Sequence, residues 1–142
     1  MIQNNLYHYK AECYRVVDGD TVDLIIDLGF NMHLHDRVRI IGIDTPETRT
    51  KNILEKEAGK AVTEYVRTLL EGKELVLVSY EFATGKFGRI LGDIFYPING
   101  IYYSLSATLL QSAFAKNYSD RSDEWTIPML TYITEQLKDY TQ

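Results

Sequence analysis

Four stretches of this 142-residue chain gather side chains of the kinds that handle ions. They are Val17-Asp18-Gly19-Asp20-Thr21-Val22, the run from Arg37 to Thr48, Lys56-Glu57-Ala58-Gly59-Lys60-Ala61, and Thr84-Gly85-Lys86-Phe87-Gly88-Arg89. Asp44, Thr45 and Glu47 offer two carboxylates and a carbonyl within four residues. Pro46 pushes Thr45 into an extended conformation, which keeps that carbonyl out of helical bonding. Hard oxygen donors of this kind suit Ca²⁺ or Mg²⁺. Read singly, an Asp-Thr-Pro-Glu run is more often the approach to a helix.

Asp20 has the parity of Val22, Leu24, Ile26 and Leu28, so it points toward the mouth of the core rather than bulk water. An ionised carboxylate there is costly without a cation or hydrogen-bond donors. Asp18-Gly19 reads as a hairpin turn. An EF-hand starting at Asp18 fails, because its fifth, sixth and twelfth positions hold Val22, Asp23 and Gly29 where a ligand, glycine and glutamate are needed. Arg39 and Arg89 taken alone are a strand charge and a loop charge. Beside Gly85-Lys86-Phe87-Gly88, however, Arg89 has the chemistry of a phosphate grip. Glycines let backbone come close, Lys86 and Arg89 supply charge, and Phe87 can stack on a base. His33 and His35 share a strand face but find no third zinc ligand at suitable spacing. Cys13 reads as a buried structural thiol.

The elements that must carry these residues follow from hydrophobic periodicity. Strands are expected over 7–17, 21–28, 36–45, 74–80 and 90–96. Helices are expected over 54–70, 104–116 and 126–138. In the first helix Ala58, Ala61, Val62, Tyr65, Val66 and Leu69 form one apolar face, and Gly72 follows as a stop signal. The strand over 36–45, apolar on both parities, suits a closed barrel. Five short strands with a helix between the third and fourth match an OB-fold barrel. The expected class is therefore α+β, a five-stranded OB-fold barrel with about three helices, in one domain over residues 1–142.

Composition narrows the rest. Fifteen Lys and Arg face twenty Asp and Glu, a net charge of −5. That argues against a protein that coats nucleic acid nonspecifically, though not against a local basic site. One cysteine allows no internal disulfide. No apolar run is long enough to span a membrane. The N-terminal residues lack the pattern of a secretory signal, and the chain is expected to be a cytoplasmic monomer.

Taken together, the motifs resemble those of the staphylococcal nuclease family, the thermonuclease-like OB-fold nucleases. The resemblance runs through Asp18-Gly19-Asp20-Thr21, Arg39 five residues before Asp44-Thr45-Pro46-Glu47-Thr48, Glu57-Ala58, and Phe87-Gly88-Arg89, over residues 10 to 118. It implies a Ca²⁺-dependent nuclease acting on DNA or RNA, cleaving the 5′ P–O bond to leave 3′-phosphates. It implies that Asp20, Asp44 and the Thr45 carbonyl hold Ca²⁺. Glu47 would be the general base, Arg39 and Arg89 the phosphate clamp, and Lys86, Phe87 and Tyr118 the nucleotide-binding residues. The chain departs from the family at Phe87, usually tyrosine, at Gly85, usually acidic, in a shorter loop after Thr48, and in its acidic balance. These departures bear on affinity and substrate preference, not on the catalytic set. Two other classes remain open at this point: a noncatalytic OB-fold module that binds single strands, and a protein-interaction domain.

Overall fold

A computed structural model describes residues 7–81 and 89–141. Lys86 and Phe87, two of the expected nucleotide-binding residues, lie outside the described residues. The first hairpin joins β1 (His8–Asp18) to β2 (Thr21–Gly29) through Gly19-Asp20. The second joins β2 to β3 (Met32–Ile40) through Phe30-Asn31, both with positive φ (55° and 60°), as a type I′ turn requires. After β3 come β4 (Ile43–Asp44), α1 (Ile53–Leu70), β5 (Leu75–Glu81), β6 (Ile90–Ile98) and β7 (Ile101–Ser104). The chain continues through α2 (Leu105–Gln111), β8 (Lys116–Asn117) and α3 (Ile127–Gln136).

Strands β3-β2-β1-β5-β6 hydrogen-bond in that order, and a parallel pairing of β6 with β3 closes the ring. This is the expected five-stranded OB barrel, with three α-helices among the described residues. Val22, Leu24, Ile26, Val38, Ile40, Leu75, Leu77 and Ile94 fill its interior. Full burial of each such side chain is worth about 1.5–3 kcal/mol. Helix α1 packs against β1 and α3, burying Ala58, Ala61, Val62, Val66 and Leu69 as its periodicity predicts. Asn52 caps its first turn, accepting from the Glu55 N–H at 3.2 Å. No described helix is long and apolar enough to cross a membrane.

The structure corrects three elements. The strand expected over 36–45 starts earlier, at Met32, and breaks after Ile40. Gly42 turns the chain at φ +82° before β4 begins. The apolar run hid this break, because Ile40 ends one strand and Ile43 begins another. The helix expected over 104–116 stops at Gln111, since Ala113 takes a left-handed φ of 64° and ends it. Strand β7 was not expected; it follows the Asn99-Gly100 turn and extends β6 outside the barrel. Beneath it, buried Asp93 accepts hydrogen bonds from the Ser104 hydroxyl, the Ser106 hydroxyl (2.9 Å) and the Ser106 N–H (3.1 Å). That carboxylate ties the start of α2 to the barrel.

Candidate active site

The site lies where the β1–β2 turn, the loop that follows β4 and Arg89, the residue just before β6, come together beside β3. Asp20, in the turn, is buried and accepts a hydrogen bond from the Thr45 N–H at 3.1 Å. The Thr21 hydroxyl donates to its other oxygen at 3.0 Å. These are the donors that a buried carboxylate needs. Two residues earlier, at the end of β1, Asp18 accepts from the Thr48 hydroxyl at 2.6 Å. The turn and the 44–48 loop are thus laced together twice.

Two glycines let these segments approach. A Cβ on Gly19 would stand 2.6 Å from Val62 Cγ1 and 3.0 Å from Thr45 Cγ2. A Cβ on Gly59, in the middle of α1, would stand 2.6 Å from the Pro46 carbonyl oxygen and 2.8 Å from that of Glu47. A mid-helix glycine costs roughly 1 kcal/mol against alanine. Here it seats the loop that carries Glu47 directly on the helix.

Arg39 is the hub. Its guanidinium lies 3.4 Å from the Asp20 carboxylate and 4.0 Å from that of Asp44, and donates to the Ile40 carbonyl at 3.1 Å. It also sits 5.4 Å from the centre of the Tyr118 ring. Tyr118 itself follows β8, whose Lys116 pairs across from Asp44, and its N–H donates to the Gly42 carbonyl at 3.0 Å. Arg89 enters the same cleft because β6 runs parallel to β3, with Ile90 opposite Val38 and Leu91 opposite Arg39. Glu47 completes the group, its N–H held by Glu55 at 2.9 Å.

Asp20, Arg39, Asp44, Glu47 and Arg89 thus line one cleft of about 780 Å³. Thr45 lies buried just behind Asp20, and its hydroxyl oxygen has no hydrogen-bond partner. Two residues that sequence reasoning passed over join them. Asp23 is buried in the outer wall and takes a two-point ion pair from Arg37, at 2.8 and 3.1 Å. Arg121 sits over the Tyr118 ring at 4.4 Å. Asp23 had the polar parity of its strand, which concealed its burial, and no spacing rule ties Arg121 to a tyrosine three residues back. His33 and His35 are exposed on β3 as expected, and Cys13 is buried.

The electrostatics are lopsided. The cleft is lined by Asp18, Asp20, Asp23, Asp36, Asp44 and Glu47 against Arg37, Arg39, Arg49 and Arg89. Burial and then the charge of Asp20 hold the Asp44 carboxyl above its usual range. Partial desolvation of the Glu47 carboxyl, on a residue that remains exposed, followed by Asp20, Asp18 and Asp44, pushes it up as well. A cleft with excess carboxylate and hard oxygen donors has the chemistry that a divalent cation neutralises. Among the described residues, no three His, Cys, Asp or Glu side chains gather into a metal cluster. A cation held by Asp20, Asp44 and one backbone carbonyl needs only two such side chains.

A closed OB barrel thus carries two arginines among clustered carboxylates on its rim. Comparison with known proteins gives the family. The profile of the staphylococcal nuclease homologues matches residues 37–138, and the chain belongs to that family. A thermonuclease of Staphylococcus intermedius is 36% identical over 88 residues, which cover 60% of this chain and 49% of that protein. An uncharacterized protein of Bacillus anthracis is 30% identical over 94 residues, 66% of this chain and 41% of its own length. The matched region thus spans about half or less of these relatives. The family match begins at Arg37, so Asp20 stands outside it and is brought to the site by the fold.

Proposed function

We propose that this chain is a Ca²⁺-dependent nuclease that hydrolyses phosphodiester bonds of DNA or RNA. The observation that carries this reading is Arg39 lying between the Asp20 and Asp44 carboxylates, in one cleft with Glu47 and Arg89. The thermonuclease relative supports the same reaction class. Asp20, Asp44 and the Thr45 carbonyl would hold the cation. Bound there, Ca²⁺ supplies Lewis acidity and a template for phosphate and water.

The remaining work falls to the chain's own residues. Arg39 and Arg89 bind the scissile phosphate and stabilise the charge that grows on its non-bridging oxygens. Glu47 takes the proton of the attacking water. A carboxylate raised by desolvation and by its acidic neighbours is a stronger base than an ordinary one, which suits that role at neutral pH. Tyr118, steadied by Arg39, gives a flat face beside the nucleotide. Lys86 and Phe87 extend the nucleotide site by their kinship to family positions.

Cleavage and binding measured on one oligonucleotide test the assignment. Glu47→Gln is expected to bind with near wild-type affinity in Ca²⁺ yet lose roughly 100-fold or more in cleavage rate. Equal cleavage by Glu47→Gln removes the general base. Binding without cleavage by the wild-type chain makes it a noncatalytic single-strand-binding module instead.

A further inference from the structure

We propose that Tyr14 and His35 form a stacking platform for one base of a single-stranded polynucleotide whose phosphate sits at Arg39 and Arg89. The inference rests on the phosphodiester reading of the site and extends it along the barrel wall. Tyr14 and His35 line the same cleft as Arg39, Asp44, Glu47 and Arg89. Their ring centres are 5.9 Å apart with planes tilted by 44°.

The fold aims both rings there. On β3, alternation sets His35, Arg37 and Arg39 in one row along the outer face, and all three line the cleft. Arg37 is fixed in the row by its two-point ion pair to Asp23. On β1 the pairing register slips between Cys13 and Arg15, and Tyr14 is the extra residue. Such a bulge re-aims a side chain. Cys13 stays in the core while Tyr14 stands outside beside His35, with 52% of its surface exposed. A large ring held half-open by a bulge, next to a second ring and a row of cations, has what a base needs. It offers a π-face for stacking and positive charge for the adjoining phosphate.

Stacking on an aromatic side chain is lost when either the ring or the base is removed, and the two losses do not add. The test is a set of single-stranded oligonucleotides, each with one abasic position, cleaved in Ca²⁺ by the wild-type chain and by Tyr14→Ala. In the wild type, one register of the abasic scan is expected to lower kcat/KM roughly tenfold or more. In Tyr14→Ala the intact oligonucleotide should fall by the same factor, and the abasic position should cost nothing further. Tyr14→Phe, which keeps the ring, should retain the wild-type pattern. A dinucleotide too short to reach the platform should be cleaved equally by wild type and Tyr14→Ala. Additive losses, a Tyr14→Phe defect as large as that of alanine, or equal loss on the dinucleotide would overturn the platform. If the wild type cleaves nothing, the nuclease reading fails. The same abasic scan read by fluorescence anisotropy then decides the platform alone.

Discussion

At the scale of single residues, the site depends on charges that offset one another. Arg39 is mostly buried and faces two carboxylates. Arg39→Ala and Arg89→Ala are each expected to cut cleavage by roughly 100-fold or more, since each donor acts on charge that develops in the transition state. Circular dichroism taken beside the rates should show a retained fold. Glu47 has the opposite signature: desolvation, then the charges of Asp20, Asp18 and Asp44, raise its pKa. A group raised in the folded state weakens folding once it ionises, so in chelator at neutral pH Glu47→Gln should raise Tm by about 1–3 °C. A fall in Tm would show that the glutamate is held by favourable contacts.

Cys13 gives a second pH effect, away from the site. Burial pushes its thiol from 9.0 up to about 11. Between those values the unfolded chain loses the proton and the folded chain keeps it. Stability should therefore fall as pH rises from 9 toward 11, by up to about 1.4 kcal/mol per pH unit. Denaturant melts of wild type and Cys13→Ala across this range isolate the thiol, and parallel curves for the two chains would contradict its assignment.

At the scale of elements, the site is made by close approach of segments. Gly59→Ala is expected to displace the Pro46-Glu47 backbone, since the added carbon has no room against two carbonyl oxygens. Alanine favours a helix by roughly 1 kcal/mol, so a net loss of stability together with at least a tenfold loss of cleavage would show that the contact prevails. A more stable, fully active variant would mean that the loop shifts freely. Asp93→Ala should cost about 2–4 kcal/mol by stranding Ser104 and Ser106 at the start of α2, read from denaturant melts.

Much of this architecture was legible in the sequence where periodicity was clean. The apolar face of α1 and the alternation of Val22, Leu24 and Ile26 stand where their patterns put them, and the turn read at Asp18-Gly19 falls one residue on, at Gly19-Asp20. The break at Gly42 and the short α2 were not legible. Each depends on one left-handed residue inside an apolar stretch, and apolar patterning is blind to it. Asp20, Arg39, Asp44 and Glu47 were singled out from motif spacing. Gly59, Asp23 and Arg121 act through contacts distant in sequence or unmarked by any spacing rule, so only the fold revealed them.

At the scale of the whole molecule, the net charge of −5 argues against a protein that gathers nucleic acid over a broad surface. Productive contact with phosphates should be confined to the cleft around Arg39, Arg49 and Arg89. Binding of an oligonucleotide is accordingly expected to weaken only gently with salt, with a slope equivalent to about 2–5 phosphates. A slope near ten would require a basic track elsewhere on the protein.

The same balance makes the cation the centre of the account. A cleft in which six carboxylates outnumber four arginines would repel a polyanion, and a divalent ion bound there would relieve that repulsion. Ca²⁺ accepts the irregular shell that two carboxylates and a carbonyl leave open, whereas Mg²⁺ demands a near-octahedral one. The decisive measurement is turnover of one oligonucleotide at saturating Ca²⁺, at matched Mg²⁺ and in chelator, by wild type and Asp20→Ala. Rapid cleavage by the wild type is expected in Ca²⁺ and roughly 100-fold less in Mg²⁺. None is expected in chelator and almost none from Asp20→Ala in any buffer. Full activity in chelator, or an Asp20→Ala variant as fast as wild type in Ca²⁺, would contradict this role of the cation.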